Sequence, residues 1–248
     1  MSNMYHPSTP VPNRVREGHF GEAVLPPAGV IPGPVYVYDA AIRIWHWVTA
    51  LCIVVLAITG YFIGSPPPTL SGEASAHFLF GYIRFVHFAA GMILGVAFVL
   101  RLYRVLVGGP HARQIFYVPF WSIAWWKDVF NEIGWYLFLK PPKEYVGHNP
   151  LAHAAMFFMF LLPLIVLLLT GFALFAEQTG INSGWYTVFG WVFQVAGGDS
   201  MTVRTWHQFA MWIILIFSMV HMYMAIREDM THRQTTISSM ISGWRFYR

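Results

Sequence analysis

Apolar residues are concentrated in four long runs along the chain, and Pro, Gly and charged residues separate the runs. The runs cover residues 42–63, 83–107, 150–176 and 205–227. A helix that crosses a bilayer takes about 20 mostly apolar residues, so each run is long enough to cross once. The pattern predicts an all-α membrane protein built as a four-transmembrane-helix bundle.

The segments outside these runs predict a tail and two further elements. Residues 1–35 are rich in Pro and Gly and lack the apolar core of a signal peptide, so we expect an extended tail before a single domain over 36–248. Residues 118–139 mix tryptophans with charges, which favours an amphipathic interfacial helix between helices 2 and 3. The aromatic segment 181–197 is either an ordinary interfacial belt or a docking surface for a partner.

Composition and charge narrow the class of protein. The chain has 248 residues, of which 56% are hydrophobic and 10% charged, which excludes an ordinary soluble domain. No Lys/Arg run is present, so we expect no nucleic-acid partner. Of the 15 basic residues, all except Arg84 and Arg204 fall on one side of the predicted spans. The positive-inside rule therefore places both termini and the helix 2–3 connection in the cytoplasm.

Four histidines lie inside the apolar runs, where a ligand-type side chain is costly and therefore indicates a function. They are His46, His87, His207 and His221. The last two are fourteen residues apart on helix 4, about 21 Å along its axis and nearly on one face. Depth pairs His87 with His207 near the periplasm and His46 with His221 near the cytoplasm.

Two such pairs predict two haems, each with two histidines as the axial ligands of its iron. Cys52 is the only cysteine, which excludes covalent attachment and indicates two non-covalent b-type haems. The alternative is that each histidine only hydrogen-bonds a neighbouring helix. Gly60 lies at the depth of the outer pair, where it leaves room either for a macrocycle or for close helix packing.

Four arginines lie close to these histidines along the sequence. Three of the arginines precede a histidine by three residues, and the fourth follows His221. They are Arg43, Arg84, Arg204 and Arg227. Arginine binds carboxylates in a bidentate manner, so these side chains are candidates to bind haem propionates. The alternative is that they are interface anchors whose charged ends reach water.

Three Arg-x-x-His motifs and the end of helix 4 carry a family resemblance over about residues 35–248. They are Arg43-Ile44-Trp45-His46, Arg84-Phe85-Val86-His87, Arg204-Thr205-Trp206-His207 and His221-Met222-Tyr223. The chain resembles the b-type cytochrome subunit of membrane-bound nickel–iron hydrogenases. The wider group of di-haem membrane cytochromes, including formate dehydrogenase subunits, shares the first motif.

The resemblance implies a function for the chain in the bacterial cytoplasmic membrane. Electrons from a periplasm-facing hydrogenase, with its iron–sulfur small subunit and nickel–iron large subunit, would pass through both haems to quinone. Hydrogen splitting would belong to the partner, and the oligomeric state of the complex stays open. The resemblance also implies a quinone site by the cytoplasmic haem, with the candidates Tyr145, Gly147, His148 and Asn149.

Two alternatives remain from the sequence. The chain could be the equivalent cytochrome of another respiratory dehydrogenase, such as formate dehydrogenase. It could also be a haem-free transporter or scaffold, although the chain shows no convincing internal repeat of the kind that many transporters contain.

Overall fold

A computed structural model describes most of the predicted domain. The described residues are 16–17, 23–24, 35–68, 77–107, 115–116, 118–141, 149–232 and 235–245. The predicted tail therefore lies outside the described residues, apart from two two-residue strands and Val35. Three of the four candidates for the quinone site, Tyr145, Gly147 and His148, also lie outside them.

Helices dominate the described residues, and the strands are short. In chain order the elements are β1 (Arg16–Glu17), β2 (Ala23–Val24), β3 (Val35–Tyr36), α1 (Ala40–Gly64), α2 (Leu79–Val107), α3 (Ile123–Tyr136), α4 (Pro150–Ala155), a π-helical turn (Met156–Leu161), α5 (Leu162–Thr179), α6 (Gly184–Phe189), α7 (Trp191–Ala196), α8 (Ser200–His232), α9 (Thr236–Ser242) and β4 (Trp244–Arg245).

Four helical stretches in the described residues are long and apolar enough to cross a membrane. They are Ala40–Gly64, Leu79–Val107, Pro150–Thr179 and Ser200–Met230. The predicted all-α class and its four spans are confirmed. Three of the four helices begin earlier than the apolar runs, because hydropathy marks the bilayer crossing and the backbone hydrogen bonds continue beyond it.

Contacts divide the chain into two compact units. One contains Ala41–Val118 and Ala154–His221, and the other contains Met1–Ala40, Pro119–His153 and Met222–Arg248. In the first unit all four spans contribute to one core. Its buried residues are Cys52, Leu94, Phe160, Leu164, Ile214 and Phe217.

Two local features set the packing of α5 in this unit. A Cβ on Gly95 of α2 would lie 2.7 Å from the Phe172 ring, so glycine is needed for that ring to pack there. The π-helical turn ends just before Pro163, and the Leu162 N–H bonds the Phe157 carbonyl five residues back. Proline has no N–H to continue the α-helical ladder, and the wider turn accommodates that loss.

In the unit that contains Pro119–His153, strands from the beginning and the end of the described domain pair with each other. β3 and β4 pair antiparallel, with Tyr36 opposite Trp244. Arg245 is buried and forms an ion pair of 3.0 Å with Glu228. Burial raises the pKa of the Tyr38 hydroxyl to about 12, against the opposing effect of Arg245, so Tyr38 is neutral at physiological pH.

The predicted helix between spans 2 and 3 is present as α3. Ser122 caps its first turn by accepting a hydrogen bond from the Trp125 N–H at 3.3 Å. Trp125, Val129 and Trp135 are buried along one side of the helix, whereas Trp126 and Phe130 are exposed. This two-sided pattern is typical of an interfacial helix, and its location at the membrane surface stays a prediction.

Candidate functional site

The structure brings the four membrane histidines together as two pairs. The ring centres of His46 and His221 are 6.3 Å apart, and the ring planes are inclined at 57°. The ring centres of His87 and His207 are 6.5 Å apart, with an inclination of 65°. These are the two pairs that helix direction and depth predict, and in each pair the partners come from different helices.

The spacing of each pair fits one metal atom between two imidazoles. Metal–imidazole nitrogen bonds are about 2 Å long, and two such bonds in line, with half a ring at either end, separate the ring centres by about 6 Å. Among the described residues, no cluster of three or more His, Cys, Asp or Glu is placed to hold a metal ion. Two facing imidazoles therefore fit an iron whose other four ligands come from a porphyrin.

Threonine hydroxyls hold both rings of the His87–His207 pair. Thr59 Oγ1 of α1 lies 2.9 Å from His87 Nδ1, and Thr170 Oγ1 of α5 lies 2.8 Å from His207 Nδ1. Hydrogen bonds at Nδ1 orient each ring and leave Nε2 for a metal.

The glycine after each threonine gives the same ring its space. A Cβ on Gly60 would lie 3.3 Å from His87 Cε1, and one on Gly171 would lie 3.2 Å from His207 Cε1. Gly60 is the residue that depth predicts beside the outer pair. The structure therefore supplies a close contact with an imidazole as the local reason for glycine.

Aromatic side chains contact the His46–His221 pair. The His221 ring stacks on Phe217 with the ring planes 12° apart and the centres 5.5 Å apart. Phe217 in turn packs on Phe160, whose ring meets Trp45 edge-on. Among the described residues, the buried His46 Nδ1 has no hydrogen-bond partner.

The two arginines one turn before His87 and His207 reach the end of α5. Arg84 donates a hydrogen bond to the Gln178 side chain, and the Arg204 guanidinium lies 3.9 Å from the Glu177 carboxylate. Ser200 donates to the same carboxylate at 2.7 Å. Both arginines therefore lie at one end of the helices, where their binding of propionates stays a proposal.

The other two candidate arginines lie in different surroundings. Arg43 lies one turn before His46 on α1 and is half-buried. The Arg227 guanidinium lies 4.8 to 5.0 Å from the ring centres of Phe138, Trp135 and Tyr136. These cation–π contacts give Arg227 a packing role whether or not it binds a propionate.

Arg101 is a buried arginine that the sequence analysis did not single out. It is 2% exposed, and its guanidinium lies 5.3 Å from the ring centre of Trp45 and 5.5 Å from that of Phe116. Trp45 is the residue before His46 on α1. In the sequence, Arg101 is visible only as an arginine near the end of an apolar run. Such an arginine is typical of an interface anchor.

Asn149 is the one candidate for the quinone site that the structure describes. It is buried, and its Oδ1 accepts a hydrogen bond from the Ala152 N–H at 2.7 Å, which caps α4. A side-chain hydrogen bond also joins it to Tyr136. Burial, with smaller contributions from the charges of Glu228 and Glu132, raises the pKa of Tyr136 to about 12.

The cap makes a prediction for Asn149. We expect Asn149→Ala to lower the free energy of unfolding by about 1 kcal/mol, because the first turn of α4 loses its side-chain acceptor. Asn149→Ser can still cap and is the matched control. Thermal unfolding of both variants checks this, and equal losses in the two would show that capping is not what Asn149 contributes.

The aromatic segment 181–197 forms the short helices α6 and α7. Val192 and Phe193 are buried with Ala173 of α5 and Val203 of α8. Trp185 packs on Phe172, Phe175 and Phe189. These contacts give several of its aromatic residues a packing role within the chain, and a docking role for the segment stays a prediction.

The chain is similar to known proteins over most of its length. The family model described as prokaryotic cytochrome b561 matches residues 37–243. The chain is 57% identical over 215 residues to a probable Ni/Fe-hydrogenase B-type cytochrome subunit from Rhizobium leguminosarum bv. viciae, covering 86% of this chain and 90% of that protein.

Two further relatives carry similar descriptions. A probable Ni/Fe-hydrogenase B-type cytochrome subunit from Azotobacter vinelandii is 53% identical over 215 residues, which are 86% of this chain and 89% of the relative. A probable Ni/Fe-hydrogenase 1 B-type cytochrome subunit from Escherichia coli (strain K12) is 46% identical over 217 residues, which are 86% and 91% of the two chains. These matches confirm the resemblance that the Arg-x-x-His motifs carry.

Proposed function

The chain belongs to the prokaryotic cytochrome b561 family, and from this membership we propose that it is the di-haem b electron-transfer subunit of a membrane-bound nickel–iron hydrogenase. The observation that carries the proposal is the presence of two histidine pairs with ring centres 6.3 and 6.5 Å apart. Each pair has the spacing for one bis-imidazole haem, and each takes one of its two rings from α8.

In this proposal the four histidines and the side chains that contact them have specific roles. His87 and His207 would hold one haem b, and His46 and His221 would hold the other. Haem b with two imidazole ligands supplies one-electron transfer and has no open coordination position. Thr59 and Thr170 would fix the ring orientations of the first pair, and Phe217 stacks on His221 of the second pair.

The partner and the acceptor follow from the relatives and the resemblance. The relatives are described as hydrogenase cytochrome subunits, which favours hydrogenase over another dehydrogenase. We propose that electrons enter at the His87–His207 pair from the iron–sulfur small subunit on the periplasmic face. They leave from the His46–His221 pair to quinone, for which Tyr145, Gly147, His148 and Asn149 are the candidate residues.

The distribution of charge supports this orientation in the cytoplasmic membrane. Basic residues gather on one side of the four spans, which the positive-inside rule assigns to the cytoplasm. Arg84 and Arg204 are the exceptions, and both lie beside the pair that we assign to the periplasmic side. Both are candidates to bind the propionates of a haem held there.

The proposal predicts the haem content of the purified complex. We expect two acid-extractable haems b for each copy of this chain and a reduced spectrum typical of low-spin bis-histidine haem. Extraction followed by spectroscopy in alkaline pyridine measures both quantities. Haem that stays on the polypeptide after extraction, or a preparation of the intact complex without haem, would contradict the proposal.

A further inference from the structure

The two histidine pairs differ in what contacts the ring nitrogen that faces away from a metal. Thr59 Oγ1 lies 2.7 Å from the Val55 carbonyl and Thr170 Oγ1 lies 2.5 Å from the Val166 carbonyl. A hydroxyl has one hydrogen, and a carbonyl can only accept. Each threonine therefore donates to its own helix and accepts from the histidine Nδ1–H.

Backbone contacts support the same assignment of protons. His87 also has a backbone hydrogen bond with Leu56, and His207 has one with Leu167. A carbonyl can only accept, so one nitrogen of each ring carries a proton, in agreement with an N–H at Nδ1. Nε2 is then the unprotonated nitrogen that can bind a metal.

One short motif repeats to make both contacts. Leu56-Ala57-Ile58-Thr59-Gly60 on α1 and Leu167-Leu168-Leu169-Thr170-Gly171 on α5 share the pattern Leu-x-x-Thr-Gly. In each copy the threonine hydroxyl bonds the histidine Nδ1, the leucine backbone bonds the same histidine, and the glycine leaves space for its Cε1. One motif holds His87 and the other holds His207, so both ligands of one pair receive the same support.

The second pair lacks this support at His46. Its Nδ1 is buried and has no hydrogen-bond partner among the described residues. His221 stacks on the apolar ring of Phe217. The two pairs therefore differ in how strongly the metal-binding ring nitrogen can donate electrons to a metal.

We propose that Thr59 and Thr170 are positioning residues that lower the reduction potential at the His87–His207 pair below that at the His46–His221 pair. A hydrogen bond from Nδ1–H to an oxygen makes Nε2 a stronger electron donor, which stabilises oxidised iron more than reduced iron. The inference rests on the proposed function, since it requires a haem at both pairs. It makes electron transfer from the first pair to the second favourable.

Potentiometric titration of the haem absorption bands in the purified complex tests this. We expect Thr59→Val and Thr170→Val to raise the lower of the two midpoint potentials and to leave the higher one in place. At a fixed potential the reduced-to-oxidised ratio of that haem should rise several-fold, where tenfold corresponds to about 59 mV for one electron. Thr59→Ser keeps a hydroxyl and should restore the original value.

Thr205→Val is the matched control. The Thr205 hydroxyl makes the same kind of bond to its own helix, to the Met201 carbonyl at 2.9 Å, but the side chain is exposed. We expect both potentials to stay unchanged in this variant. Equal shifts in Thr205→Val and Thr59→Val would show a general effect on the helices and overturn the proposal.

A second measurement does not depend on the threonine variants. In His87→Ala the remaining haem should titrate at the higher of the two wild-type potentials. A remaining haem at the lower potential, or unchanged potentials in both valine variants with two haems bound, would overturn the ordering while the proposed function stands. A wild-type complex without haem would instead remove the proposed function itself.

Discussion

Replacement of His87 or His207 by alanine is expected to remove one of two haems and to stop electron flow from hydrogen to quinone. The two ring centres are 6.5 Å apart and each ring supplies one ligand in the proposed site, so either loss would leave a single imidazole to hold the haem. Haem content should fall from two to one for each chain. Hydrogen oxidation should persist with a dye that takes electrons directly from the partner, because hydrogen is split there.

His77→Ala is the control for this experiment. His77 is exposed, lies outside the four spans and has no place in either pair. We expect its haem content and its quinone-linked activity to match the wild type. If His87→Ala abolished dye-linked activity while the complex stayed assembled, the separation between catalysis in the partner and electron transfer in this chain would be wrong.

Turnover with quinone is expected to build a membrane potential. If hydrogen releases protons at the periplasmic face and quinone takes up protons near the His46–His221 pair, electrons cross the membrane while protons do not. An elementary charge that moves against 100 mV costs about 2.3 kcal/mol. An opposing potential should therefore slow turnover, and a protonophore should restore the rate.

Proteoliposomes with the complex in one orientation make this measurable. A potential-sensitive probe should respond when hydrogen reduces quinone. It should stay silent when an impermeant dye accepts the electrons on the hydrogenase side, because no charge then crosses. Quinone turnover without any potential would place the quinone reaction on the same side as the hydrogenase and remove the proposed site near Asn149.

The sequence by itself determined the number of spans and the candidate ligands. Four apolar runs of bilayer length have few alternatives to transmembrane helices, because the membrane interior requires every backbone polar group to be bonded. Helix direction then orders residues by depth, since each residue adds a fixed rise. This is why His207 and His221, on one helix, could each be assigned a partner before any contact was known.

The sequence was less informative about side chains whose partners are distant along the chain. Thr59 is 28 residues from His87, and Thr170 is 37 residues from His207. A hydroxyl in an apolar helix can satisfy itself on the preceding turn, so nothing in the local pattern requires a histidine partner. The repeated Leu-x-x-Thr-Gly motif was visible in the sequence, but its contacts with histidine form only when the helices pack.

The arginines show the same division. Their position beside histidines was visible in the sequence, and it indicated propionate binding. Only the tertiary structure placed Arg204 beside Glu177 and Arg227 among three aromatic rings. A long flexible side chain can reach several partners from one backbone position, so its contacts depend on what neighbouring elements present.

The sequence therefore determined what had to cross the membrane and at what depth its histidines lie, because hydrophobicity and helical rise are local properties. The tertiary structure decided which helices bring two imidazoles to about the span of one bis-imidazole metal site. It also decided that one pair is held by threonines while His46 of the other is not. Those decisions depend on helix packing, in which each contact joins residues that the chain separates.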